Sequence, residues 1–168
     1  GLIGFGRIAR GVTKRVKGFD ANVLAYDPFA DEKTVAEHGA KLTSLEDLLA
    51  RSDYVSLHLP YSKETRHLIN AERLAQMKKG AFIINTARGG LIDEAALLDA
   101  LTSGHIAGAG LDVFENEPDL QDPVVKALLA HPHVMATAHA AGSSEEGLQR
   151  TNTIAAQTVI DLLNGRSI

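Results

Sequence analysis

Residues 1–10 read Gly-Leu-Ile-Gly-Phe-Gly-Arg-Ile-Ala-Arg. Gly4 and Gly6 sit where a short apolar strand meets an amphipathic helix, so the backbone can turn sharply and approach a pyrophosphate with no Cβ in the way. The helix N-terminus adds free N–H groups and the positive end of its dipole. Ala9 takes the third glycine position, which needs only close helix–strand packing. Taken alone, such a turn also fits a plain loop or an S-adenosylmethionine site.

The residues after the turn narrow the choice. Ile8, Val12 and Val16 recur at helical spacing and predict a face packed on a sheet, with Arg7, Arg10, Lys14, Arg15 and Lys17 elsewhere. Gly18 ends that helix, and residues 22–26 read as a second strand. Asp27 stands at its end, about 20 residues past the turn, where a carboxylate accepts from adenosine ribose hydroxyls. The plainer reading is that Asp27 only opens a turn with Pro28. No Arg or Lys follows until Lys33, so the cradle for a 2′-phosphate is missing and NAD is favoured over NADP.

At 168 residues the chain is long enough for one domain with a buried core. A net charge of −4 gives no electrostatic case for nucleic acid or an anionic membrane as partner. With no cysteine, disulfides, thiolate catalysis and zinc–thiolate sites drop out. Apolar runs are short and broken, so the chain reads as a soluble cytoplasmic domain. It begins with Gly and has almost no strand ahead of the turn, which predicts a piece of a longer polypeptide.

Further along, a helix is expected over 31–38, a minor strand at Lys41 and Leu42, and a helix opened by a capping box of Thr43 and Glu46. A strand over 54–59 stops at Pro60, residues 63–69 form a helical turn, and Asn70 caps a helix that Gly80 ends. A strand over 81–85 leads to a loop over 86–90 and a helix capped by Asp93. Residues 106–113 form a strand in which Gly108 and Gly110 suggest a close neighbour. A short helix, a strand over 134–136 and a final helix opened by Ser143 and Glu146 complete the pattern, with Leu148, Ala155, Val159 and Leu162 on one face. Strands alternating with helices predict an α/β fold: a doubly wound parallel sheet, Rossmann-like, in a single nucleotide-binding domain over 1–168.

In such sheets ligands bind beyond the carboxyl ends of the strands. The residues there are Gly4 to Arg7, Asp27, His58 to Pro60, Thr86 to Gly89, Asp112 to Glu117 and Thr137 to His139. Arg88 could grip a carboxylate through two parallel N–H bonds, or be a surface Arg paired with Asp93. Glu117 lies among acids that could equally be a solvated loop; the run lacks the spacing of a calcium site, and no metal is expected. His139, among small residues, reads as a general acid and base or as a buried His on a carbonyl. His58 reads as pocket wall, and His38, His67, His105, His131 and His133 as solvated.

Gly-Phe-Gly-Arg-Ile, Tyr-Asp-Pro, Leu-His-Leu-Pro, Asn-Thr-Ala-Arg-Gly-Gly-Leu-Ile-Asp, Gly-Leu-Asp-Val-Phe-Glu-Asn-Glu-Pro and the Ala-His pair occur here in one order. Together they make the chain resemble the nucleotide-binding domain of the D-isomer-specific 2-hydroxyacid dehydrogenases. The resemblance implies that Arg88 holds a substrate carboxylate and His139 protonates the adjacent carbonyl as hydride arrives from NADH. Glu117 would hydrogen-bond the imidazolium and hold its proton, and Asp112 would face the nicotinamide carboxamide. Gly4, Gly6, Arg7, Ile8, Asp27, Pro28, His58, Leu59, Pro60, Thr65, Thr86, Ala87 and Gly142 would line the cofactor.

The resemblance also implies a small 2-oxo or 2-hydroxy acid as partner, and a homodimer. Two departures stand out. Ala138 replaces the Pro that usually precedes the catalytic His, and the family's separate substrate domain is absent from these residues. Some relatives are NAD(H)-sensing corepressors, so a non-catalytic binding module is the rival reading.

Overall fold

The computed structural model describes residues 1–166. Strands and helices alternate along them: β1 (Leu2–Ile3), α1 (Arg7–Val16), β2 (Leu24–Tyr26), α2 (Glu32–Glu37), β3 (Lys41–Leu42), α3 (Leu45–Arg51) and β4 (Tyr54–Leu57). Then come α4 (Ala71–Gln76), β5 (Ala81–Asn85), α5 (Glu94–Thr102), β6 (Ile106–Leu111), α6 (Pro123–Ala130), β7 (Val134–Ala136) and α7 (Glu145–Leu163). The chain divides into two compact units. The first, Gly1–Thr137, holds the whole sheet; the second starts at Ala138 and holds α7.

The seven strands form one sheet in the order β3-β2-β1-β4-β5-β6-β7. Every pairing is parallel. The order reverses between β1 and β4, which opens a crevice at the carboxyl ends of those two strands. In register, Val55, Ile83 and Ala109 form one row across the sheet, and Leu57, Asn85 and Leu111 the next. Leu48 and Leu49 of α3, Leu74 of α4, Leu97 of α5 and Val125 and Leu128 of α6 belong with that face to the main core. Burying each large aliphatic side chain contributes about 1.5–3 kcal/mol.

On the opposite face a second core lies at the β1–β2 end. Leu2 of β1 and Ala25 of β2 pack with Ala9 of α1 and Val35 of α2 in a second core. Further along, Tyr54 (62% exposed), Phe82 (39%) and Met135 (76%) face solvent. The Tyr54 and Phe82 rings stack at 5.3 Å. Phe82 also explains Gly108: a Cβ there would stand 2.9 Å from both the ring and the His133 carbonyl oxygen. Gly110 does not follow suit, since its nearest neighbour would be an ordinary 3.8 Å away.

Several local expectations shift by a residue. The caps of α3 and α7 are Ser44 and Ser144, which accept from the Asp47 and Gly147 N–H groups, rather than Thr43 and Ser143. In both cases the hydroxyl directly before the first helical residue has the extended backbone that reaches the third N–H. On α1 the buried positions are Ala9 and Thr13, and Ile8 is 72% exposed. The sheet side of that helix therefore admits small side chains, in keeping with Ala9 at the packing position of the turn.

Candidate active site

The chain leaves β1 at the crevice. Gly4 has φ +89°, and a Cβ on it would lie 2.8 Å from the His58 carbonyl oxygen. Glycine is required there by the turn and by the end of β4. Gly6 differs: nothing stands within 4 Å of the place of its Cβ, and it precedes α1 with no side chain capping the helix. That open space beside the first turn of α1, which starts with Arg7 and the exposed Ile8, fits a pyrophosphate.

Asp27 lies opposite, at the end of β2. Its Oδ2 accepts from the Phe5 N–H at 2.8 Å and its Oδ1 from the Phe29 N–H, beyond Pro28, at 2.9 Å. The carboxylate thus fastens the glycine turn to the second strand, and each oxygen keeps a lone pair for a ribose hydroxyl. The turn-forming reading of Asp27 is thus met by its bonds to Phe5 and Phe29, and its remaining lone pairs leave the hydroxyl-acceptor reading open to it. The open Gly6, the uncapped helix and the anchored acid together suit a dinucleotide.

At the end of β4, burial holds the His58 pKa below the ordinary histidine value and so favours the neutral imidazole. Its Nε2 is buried and makes no hydrogen bond with any described residue. Leu59 is half-buried against the main core. Thr65 donates from its hydroxyl to the Pro60 carbonyl at 2.9 Å and accepts from the Ser62 N–H at 2.7 Å. That hydroxyl closes the turn after Pro60.

Arg88 follows β5 on a loop set by Asn85. The Asn85 side chain is 1% exposed; its Nδ2 donates to the Arg88 carbonyl at 2.9 Å and its Oδ1 accepts from the Ala87 N–H at 3.0 Å. Thr86 and Arg88 are exposed, and the guanidinium donates one bond, to the Ala87 carbonyl. Behind it, Gly89 is pressed against the Phe114–Glu115 peptide so closely that a Cβ would overlap the Phe114 carbonyl carbon at 1.9 Å. Gly90 faces the Tyr61 ring, 2.6 Å from the place of its Cβ.

Asp112 ends β6, 3% exposed. Its N–H donates to the Asn85 carbonyl at 2.9 Å, and its Oδ1 accepts from the Thr137 hydroxyl. Glu117 is half-buried and accepts from the Phe114 N–H at 2.5 Å. Arg88, Asp112 and Glu117 thus occupy adjoining strand ends of the first unit. His139 and Gly142 belong to the second unit. His139 is exposed with φ +51°, a left-handed conformation uncommon for a residue with a side chain and frequent at functional positions.

Sequence reasoning missed several supporting residues. Asn85 carried a signal, since Asn at the end of an apolar strand is a turn former. Glu115 and His67 did not: they are 48 positions apart, yet His67 Nε2 and Glu115 Oε2 are 2.8 Å apart, so His67 is not simply solvated. His105 also has a partner, the Met77 carbonyl at 3.1 Å.

A parallel sheet of this order, with the glycine turn and anchored acid at its switch point, defines a dinucleotide-binding domain. Residues 1–141 match the family described as D-isomer specific 2-hydroxyacid dehydrogenase, NAD binding domain, and the chain belongs to that family. It is 45% identical over 168 residues to D-3-phosphoglycerate dehydrogenase of Mycobacterium tuberculosis, covering all of this chain and 31% of that one. The D-lactate dehydrogenase of Treponema pallidum superposes with a TM-score of 0.91 at 36% identity, over 99% of this chain and 53% of that one. The D-lactate dehydrogenase of Aquifex aeolicus, solved with NAD and lactic acid, gives 0.87 at 37% identity, over 98% and 53%. The chain thus spans about a third of the curated relative and about half of the solved ones.

Proposed function

We propose that the protein bearing this chain transfers a hydride between NAD(H) and a 2-oxo acid/D-2-hydroxy acid pair. The observation that carries the reading is the lock between two strand-end loops, with Arg88 held by Asn85 and Gly89 pressed on the peptide three residues before Glu117. Arg88 grips the substrate carboxylate with the guanidinium N–H groups left over from its Ala87 bond, which fixes the orientation of the neighbouring carbonyl. Bound NADH supplies the hydride. His139 gives its proton to the carbonyl oxygen as negative charge develops there, worth roughly 10²–10⁴ in rate. Glu117 holds the imidazolium. The pairing of Glu117 with His139 rests on the family resemblance, as does a homodimer.

Asp112, buried and tied to Asn85 and Thr137, holds the carboxamide of the cofactor. Gly4, Gly6, Arg7, Ile8, Asp27, Pro28, His58, Leu59, Pro60, Thr65, Thr86, Ala87 and Gly142 form or support the rest of the cofactor site.

Arg88→Ala in the intact protein tests the assignment. Oxo-acid kcat/KM falls by about 10²-fold or more, the loss expected when a charge-assisted bidentate contact goes, while the NADH Kd stays within about twofold. Equal losses in both would place Arg88 with the cofactor or the fold.

A further inference from the structure

Three loops meet behind Arg88, and each closes on the next. Tyr61, after β4, lies on Gly90, and the Phe114–Glu115 peptide, after β6, lies on Gly89. The Arg88-Gly89-Gly90 segment is therefore held from two sides. The Glu115 carboxylate then reaches back to the β4 loop. Its Oε1 accepts from Arg66 Nε at 3.1 Å and Nη2 at 2.9 Å, and its Oε2 meets His67 Nε2 at 2.8 Å. His67 donates its backbone N–H to the Gly90 carbonyl at 2.8 Å, and the Glu115 N–H donates to Glu94 Oε1 at 2.8 Å. The result is a closed ring around the two glycines that follow Arg88.

We infer that Glu115, with Arg66 and His67, is a positioning clasp that fixes the Arg88 segment so that its guanidinium is set for two-point binding of a carboxylate. This rests on the reading of Arg88 as the carboxylate anchor. The Arg66 side chain is 53% exposed, so an ion pair of this kind adds little stability. Its geometry is what matters. The two glycines give the segment no side chains of their own to lock it, and Gly89 has no room to acquire one. A shift of an ångström at such an anchor costs up to about 10²-fold in rate.

The test uses the intact protein, with glyoxylate and pyruvate as substrates and oxamate as a non-reacting 2-oxo acid mimic in the presence of NADH. Glu115→Gln raises the oxo-acid KM and the oxamate Kd in parallel by about tenfold, with NADH Kd and Tm nearly unchanged. In an Arg88→Lys background, whose ammonium presents no planar fork to orient, the same change costs less than about twofold. Arg66→Met probes the clasp from its exposed end and shows the same pattern should Glu115→Gln fold poorly. Equal cost in both backgrounds, or unchanged oxamate binding with Glu115→Gln, or with Arg66→Met where that variant stands in, overturns the clasp. If Arg88→Lys itself leaves oxamate binding intact, the anchor reading fails instead, and the clasp with it.

Discussion

The surroundings of Glu94 disfavour its charged form. Burial raises its pKa; the Glu115 N–H pulls the other way, and the nearby Glu115 and Asp122 carboxylates raise it further, for a net rise. The ionised form is thus penalised in the folded chain but not in the unfolded one. Glu94 accordingly contributes stability that is complete below the ordinary glutamate range and is lost as pH climbs through its raised value. Glu94→Gln keeps the acceptor for the Glu115 N–H and removes the charge. Thermal melts should show a gain of about 1–3 °C at pH 7 and none near pH 4. Glu117, proposed above to hold the proton donor in place, is tested by kinetics: Glu117→Gln should lower kcat for oxo-acid reduction by about tenfold or more while the NADH Kd stays within about twofold. Unchanged turnover would remove Glu117 from that proposed role. Among single residues, the strand-end positions of Asp27 and Arg88 were legible because strand, turn and charged group follow each other closely in sequence. Glu115, His67 and Tyr61 were not, because their meaning lies in contacts between distant loops.

At the scale of elements, the loops after β5 and β6 behave as one piece. Gly89→Ala forces a methyl into a backbone carbonyl that has no rotamer to yield, so about 3 kcal/mol or more of stability should be lost in chemical denaturation. A loss under about 1 kcal/mol would mean that the loops move apart easily. Strand and helix order could be read from apolar runs and from Gly, Asn and Asp punctuation. The capping positions were ambiguous because Thr43 adjoins Ser44 and Ser143 adjoins Ser144. Sequence cannot choose between neighbouring hydroxyls when only backbone direction distinguishes them. The buried face of α1 was misjudged at Ile8 for a related reason: the close approach to the sheet selects small residues, which periodicity of large ones does not show.

For the whole molecule, the alternation of strands and helices was enough to give a parallel Rossmann-like sheet. The exposed stretch of Tyr54, Phe82 and Met135 was not foreseen, since a doubly wound sheet is expected to bury both faces. Among the described residues, no helix is long and apolar enough to cross a membrane. α7 buries none of its residues, and Leu148, Val159 and Leu162 are all more than half exposed. Expressed alone, these 168 residues should quench or enhance NADH fluorescence on titration yet reduce glyoxylate or pyruvate barely above background. Vigorous reduction by the domain alone would show that it carries everything the reaction needs. Failure to bind NADH would show that the crevice needs further support. The floor of that crevice is set at Gly4, where hydrogen stands in place of a side chain over the His58 carbonyl. A methyl there would stand 2.8 Å from that oxygen, and the turn would have to rise by about 0.6 Å to bring it to ordinary contact. The depth at which a ligand rides on this sheet is therefore fixed by an atom the chain does not have.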